Sequence, residues 1–251
     1  MCTLVILRRP EHEWPLLVAA NRDEMRDRPW RPPDRHWPER PEVVAGLDEQ
    51  GGGSWLGVSD HGLVAAVANR EGTLGPDDTR RSRGELVLEA LEHGEAEDAA
   101  RALADLEPAA YRAFNLFVGD PVSAFWIASY GEQGGERVAV YEVPEGLHML
   151  TARDLDDPGV ARIRIHRARF QEAQVPDPVQ GDWQAWQSLL ASRLHPEDDP
   201  LAAMNLDLEN GFATVASHLV AIPRYPGFGQ KPQFLFAAGP PDRVAFEPVA
   251  L

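Results

Sequence analysis

The sequence predicts an α+β sandwich of antiparallel sheets covered by helices, and three observations carry it. Runs of strand length and stretches of helical periodicity follow in the order strands, helices, strands, helices, strands. Turn-length connections join many of the strands, which suits antiparallel neighbours. Neither an internal repeat nor a long linker interrupts the 251 residues, so residues 1–251 are expected to form a single domain.

Thr3-Leu4-Val5-Ile6-Leu7 is rich in β-branched residues and reads as the first strand. Leu16-Leu17-Val18-Ala19-Ala20 is the second, and the polar turn from Pro10 to Pro15 makes the two a hairpin. Asp27 to Glu42 is rich in Arg and Pro, carries Trp30 and Trp37, and is expected to be a long ordered loop or lid. Gly51-Gly52-Gly53 leads into a strand over Ser54–Val58. Asp60-His61-Gly62 turns it into Leu63–Ala68, a second hairpin ending at Asn69. Ser82 and Glu85 have capping-box spacing, and Leu86, Val87, Ala90 and Leu91 then form an apolar helical stripe. Glu95–Leu106 reads as a second helix. Phe114–Val118, Ala124–Ser129, Arg137–Val143 and Leu147–Thr151 read as strands. Val160–Ala173 and Trp183–Leu194 read as helices, and Phe212–Ile222, Gln233–Ala237 and Val244–Pro248 as closing strands.

The balance of charge restricts the partners. Forty acidic against 24 basic residues leave a net charge of −16, which repels nucleic acid and anionic membrane. Lys231 is the only lysine, a bias that a saline cytoplasm or a GC-rich genome would each produce. No apolar run reaches the length of a membrane span. The apolar start Cys2–Leu7 stops at Arg8-Arg9-Pro10, the wrong order for a signal peptide, so a cytoplasmic protein is expected. Trp30 and Trp37 in the Pro-rich segment suit the aromatic wall of a small-molecule site, and a small-molecule substrate or ligand is the expected partner.

Cys2 is the only cysteine, so there is no intramolecular disulfide. With Met1 removed, one residue would carry both a thiol and the chain's α-amine, and the amine can serve as the thiol's general base. Asn21-Arg22-Asp23-Glu24 closes the strand that pairs with Cys2's own. An arginine there favours thiolate over thiol, and a carboxylate can hold the ammonium. The amide of Asn69 can donate into an oxyanion hole. Trp55 and the Asp27–Glu42 segment are expected to line a cleft near Cys2. The triple glycine is followed by no Gly-Lys-Ser/Thr and is no phosphate loop. The eight histidines show no metal-ligand spacing, and no metal or cofactor is expected.

Met1-Cys2-Thr3, Ala20-Asn21-Arg22-Asp23-Glu24, Gly46-Leu47-Asp48, Gly53-Ser54-Trp55-Leu56-Gly57, Asn69, Arg83-Gly84-Glu85-Leu86-Val87 and Phe114-Asn115-Leu116 occur in one order. Together they resemble the NRDE family, also called the transport and Golgi organization protein 2 family, and a fainter likeness runs on to Pro226-Gly227-Phe228-Gly229. The resemblance implies a four-layer αββα sandwich, the N-terminal-nucleophile hydrolase fold. More distantly the chain looks like choloylglycine and penicillin V amidases, in which an N-terminal cysteine attacks an amide. That likeness implies Cys2 as nucleophile, Arg22 as its electrostatic partner and Asn69 at the oxyanion site, with Asn21, Asp23, Trp55 and Thr151 around the substrate. The amidases place their Asp three positions after the Arg, whereas Asp23 follows Arg22 directly. Family members usually carry Leu-Ser-Asn where this chain has Leu150-Thr151-Ala152, and Tyr-Gly-Thr-Arg where it has Phe228-Gly229-Gln230-Lys231. Two functions are expected from the resemblance: hydrolysis of a small amide or related acyl compound, or non-catalytic carriage of haem or another hydrophobic metabolite.

Overall fold

The computed structural model describes residues 2–73, 75, 77, 79–131, 138–225 and 230–251. Met1, Arg137 and the Pro226–Gly229 segment quoted above lie outside them.

The chain runs β1 (Thr3–Arg8), β2 (Leu16–Met25), β3 (Trp30–Asp34), β4 (Val43–Asp48), β5 (Leu56–Ser59) and β6 (Val64–Asn69). Helices α1 (Gly84–Leu91) and α2 (Ala96–Ala104) follow. Next come β7 (Phe114–Gly119), β8 (Ala124–Ser129), β9 (Ala139–Glu142) and β10 (Gly146–Leu150). Helices α3 (Ala161–Glu172) and α4 (Gln184–Leu190) precede β11 (Phe212–Ile222), β12 (Gln233–Ala237) and β13 (Glu247–Pro248). One sheet has the order β10-β1-β2-β11-β12-β13 and the other β3-β4-β5-β6-β7-β8-β9. All the pairings between these strands are antiparallel.

Three apolar layers bind the elements. Leu4, Ile6 and Val18 of the first sheet meet Val44, Leu56 and Phe117 of the second between the sheets. Outside the second sheet, Ala65 and Leu116 pack on Leu86, Ala90 and Leu103 of α1 and α2. Outside the first, Val5, Leu17 and Leu219 pack on Ile163, Phe170 and Trp186 of α3 and α4. The result is an αββα sandwich in four layers. Both faces of the central strands are covered, which is why β1 and β2 read as continuous apolar runs rather than alternating ones.

Two local expectations are corrected. The Asp27–Glu42 segment contains a strand, β3, which pairs with β4 through Trp30↔Asp48 and Arg31↔Leu47. It lies at the sheet edge, where Pro32 and Pro33 need not donate to a ladder. The Ser82–Glu85 capping box does not form. Arg83 occupies the N-cap position without a side-chain cap bond, and Glu85 pairs with Arg81 at 2.7 Å. Ser82 Oγ instead accepts from Gly84 N–H at 3.3 Å.

Candidate functional site

Strand parity sorts the residues around Arg22. Successive side chains of β2 point to opposite faces. Ala20 therefore joins the core between the sheets, while Asn21 faces α4, donating to the carbonyls of Leu190 at 3.0 Å and Met204 at 2.9 Å. Ser217 Oγ donates to its amide oxygen at 2.7 Å, which leaves Asn21 a buried tie between sheet and helix layer, away from the expected substrate. Asp23 faces the same way. Arg162 Nη1 of α3 donates to its carboxylate at 2.7 Å, as does Thr214 Oγ1 at 2.7 Å. Arg162 also donates to Thr3 Oγ1, so this buried ion pair braces the start of β1. Only Arg22 of the three turns into the space between the sheets.

That space opens beside Cys2. The register that pairs Thr3 with Asn21 carries Cys2 opposite Arg22. The Arg22 guanidinium is 3 % exposed, lies 3.9 Å over the ring of Trp55 and donates through Nη2 to Asp48 at 3.2 Å. Among the described residues its Nη1 has no hydrogen-bond partner. Asp48 also accepts from Arg28 Nε at 2.7 Å, which holds the carboxylate between two cations. Burial pushes the Cys2 thiol above its ordinary pKa, and Asp23 and Glu24 add to it; the amino terminus and Arg22 pull the other way and are outweighed. Arg22 thus acts on the thiol in the expected direction, against burial. Desolvation disfavours the thiolate by more than one neighbouring guanidinium returns.

Trp55 is fixed from both sides. Its indole N–H donates to His218 Nε2 at 2.7 Å, and Trp30 stands edge-on to it with ring centroids 5.9 Å apart. A Cβ on Gly46 would come within 2.3 Å of the Trp55 ring, so the bare backbone of β4 is what lets the indole lie there. His218 sits fully buried in β11. Because it accepts from Trp55, its proton is on Nδ1, and burial lowers its pKa to about 3.

A cavity of about 970 Å³ brings Cys2, Arg22, Asp23, Trp55 and Asn69 together, with Asp48 and Arg83. Asn69 closes β6 opposite Phe114, and among the described residues its amide makes no hydrogen bond. Asp27, Arg28 and Pro29 reach the cavity, but Trp30 packs behind Trp55 and Trp37 joins the core under α1. The Asp27–Glu42 segment is therefore a wall at its start and not a lid. Thr151 is buried outside the cavity. Its carbonyl accepts from Asn115 Nδ2 at 2.8 Å, and its hydroxyl has no partner. Continuing the pairing of Leu4 with Leu150 sets Ala152 across from Cys2. Lys231 donates to the carbonyl of Leu251 at 3.0 Å, not to any cavity residue. Sequence reasoning missed Arg83 and His218 at this site; the Arg83-Gly84-Glu85 motif was the only available signal for either. Among the described residues, no group of His, Cys, Asp or Glu is placed to hold a metal ion, and no helix is long and apolar enough to cross a membrane.

The family model for transport and Golgi organisation 2 matches residues 1–225. The transport and Golgi organization protein 2 homolog of Bos taurus is 38% identical over 150 residues, 57% of this chain and 52% of that one. The Homo sapiens homolog is 38% identical over 126 residues, 47% of this chain and 44% of its own. The chain spans about half the length of the curated relatives it matches. Among solved structures, the mutant C2A conjugated bile acid hydrolase from Clostridium perfringens superposes with a TM-score of 0.51 at 10% identity, over 100% of this chain and 97% of that one. An N-acylethanolamine-hydrolyzing acid amidase ortholog from Caenorhabditis elegans gives a TM-score of 0.48 at 13% identity, over 92% and 98%. At 10% identity the first likeness shows the fold alone, the N-terminal-nucleophile hydrolase sandwich expected from the resemblance. The chain belongs to the transport and Golgi organisation 2 family.

Proposed function

We propose, with that family membership and hydrolase-like fold as the premise, that this chain hydrolyses a small amide or related acyl compound through Cys2 once Met1 is removed. The observation that carries the reading is the common cavity of Cys2, Arg22 and Asn69, in which the Asn69 amide is left without a partner among the described residues. The freed α-amine of Cys2 takes the thiol proton, and Sγ attacks the acyl carbonyl carbon. Asn69 Nδ2 donates to the developing oxyanion. The α-ammonium then returns the proton to the leaving nitrogen as the C–N bond breaks. Water next hydrolyses the Cys2 thioester, releasing the carboxylic acid and restoring the thiol. Arg22 favours the thiolate against the burial that opposes it.

Carriage of haem or another hydrophobic metabolite in the same cavity is the second reading. What favours it is the cavity itself, which has Trp55 in its wall and is all that carriage needs. Three forms separate the two: Met1 retained, Met1 removed, and Cys2→Ala. Each is assayed against a panel of acyl amides and titrated with haem. Turnover confined to the processed wild type is expected, because with Met1 attached the nitrogen of Cys2 is a peptide nitrogen and cannot act as base. Equal haem binding by all three, with turnover in none, would establish the carrier instead.

A further inference from the structure

We infer that Arg83 is a specificity-determining residue, and that it seats a carboxylate or similar anionic group of the acyl compound beside Cys2. The inference rests on the proposed reading for the identity of the reacting atom; its charge argument stands on the cavity alone.

Arg83 sits at the N-cap position of α1 and lines the cavity. Its Nη1 donates to Thr73 Oγ1 at 2.9 Å and to the Ala113 carbonyl at 3.0 Å, and its Nη2 donates to the Thr73 carbonyl at 3.1 Å. A guanidinium has five N–H donors. Three are used here, all on neutral oxygens, so Nε–H and the second Nη2–H stay free. The Nε–H and Nη2–H edge of a guanidinium is the fork that grips both oxygens of a carboxylate.

The charge of Arg83 is also unmet. No carboxylate pairs with it among the described residues, unlike Arg22, which has Asp48. Burial, with Arg112 nearby, pushes its pKa down to about 10, and Cys2 is close enough to act on it. Of the acids that line the cavity, Asp48 pairs with Arg22 and Arg28, Asp23 with Arg162, Glu24 with Arg28 and Asp77 with Arg80, and Glu24 acts on Arg83 only from a distance. The buried Nη1 of Arg22, which lines the same cavity, adds a second donor without an acceptor among the described residues. An anion entering here relieves a cation that desolvation has left costly. The chain as a whole carries −16, so any preference for anions must arise inside the cavity.

Because Cys2 is the only thiol, its alkylation reports on the cavity without a known substrate. The experiment measures the rate of iodoacetate, an anion, against that of neutral iodoacetamide, with free cysteine as reference. Both reagents attack the same thiolate, so the ratio is independent of the thiol's pKa. A protein ratio about tenfold above that of free cysteine is expected, as cationic clefts concentrate anions by roughly that factor or more. Arg83→Gln should bring the ratio down to the free-cysteine value, and Arg83→Lys should keep part of the excess. Should Arg83→Gln fail to fold, competition by glutarate on the wild type replaces it: glutarate should slow iodoacetamide, while its dimethyl ester should not. A wild-type ratio equal to that of free cysteine, an Arg83→Gln ratio unchanged from wild type, or equal slowing by glutarate and its ester overturns the inference. Turnover of neutral amides without the anion preference would refute this inference and leave the hydrolase; the preference without turnover by the processed protein would do the reverse.

Discussion

The Arg22 guanidinium lies 3.9 Å over the ring of Trp55, and that buried stack joins the two sheets beside the cavity. Trp55 is held by His218, and Arg22 by Asp48, so the one cation expected beside Cys2 is positioned by residues of both sheets.

Arg22→Met should raise the pKa of the Cys2 thiol further, because the cation that opposes burial is gone. The rate of iodoacetamide alkylation against pH gives that pKa directly. An unmoved midpoint in a variant that remains folded would show that Arg22 has no electrostatic hold on the thiol.

Gly46→Ala tests the other side of the stack. Its Cβ would meet Trp55 at 2.3 Å, so the indole must shift and Arg22 with it. A loss of about 1–3 kcal/mol in urea unfolding is expected from the overpacking, together with a rise in thiol pKa. Stability lost without any movement of the thiol midpoint would uncouple Trp55 from the site.

Arg162→Met removes the partner of a buried carboxylate, Asp23. A cost of about 3–5 kcal/mol is expected, since the remaining charge is stranded in the helix-facing layer. The double variant with Asp23→Asn should recover much of it. A single variant as stable as wild type would contradict the burial of the pair.

His218 makes the fold acid-labile. Its pKa is about 3 when folded and 6.5 when free, so the unfolded chain binds the extra proton. Stability from this residue is complete above pH 6.5 and falls as pH drops toward about 3, by up to about 1.4 kcal/mol per pH unit. His218→Gln should show a shallower loss between pH 6.5 and 4 than wild type, read from urea midpoints at each pH. Equal slopes would mean that His218 is accessible to protons in the folded state.

Most strands were legible because their composition is local. Phe212–Ile222, Gln233–Ala237 and Ala124–Ser129 are apolar runs bounded by turn residues, and they form as expected. Trp30–Asp34 was hidden because its prolines argue against a strand, and only a place at the sheet edge makes them harmless. The helix starting at Gly84 was visible from its apolar stripe, but its cap was not. Glu85 pairs with Arg81 instead of reaching back to the backbone, a choice between two nearby partners that spacing does not decide.

The sequence by itself determined the family, the layered fold and the residues Cys2, Arg22 and Asn69 as a set to look for, since these are written in short motifs and runs. Tertiary structure decided which of them face one another. Side chains alternate along β2, but only the placement of α3, α4 and the second sheet says which face is helix layer and which is cavity. That is why Asn21 became structural while Arg22 did not. The thiol's raised pKa, the neutral His218 behind Trp55 and the uncompensated Arg83 all follow from desolvation by elements distant along the chain. Burial of that kind exists only once the layers have closed.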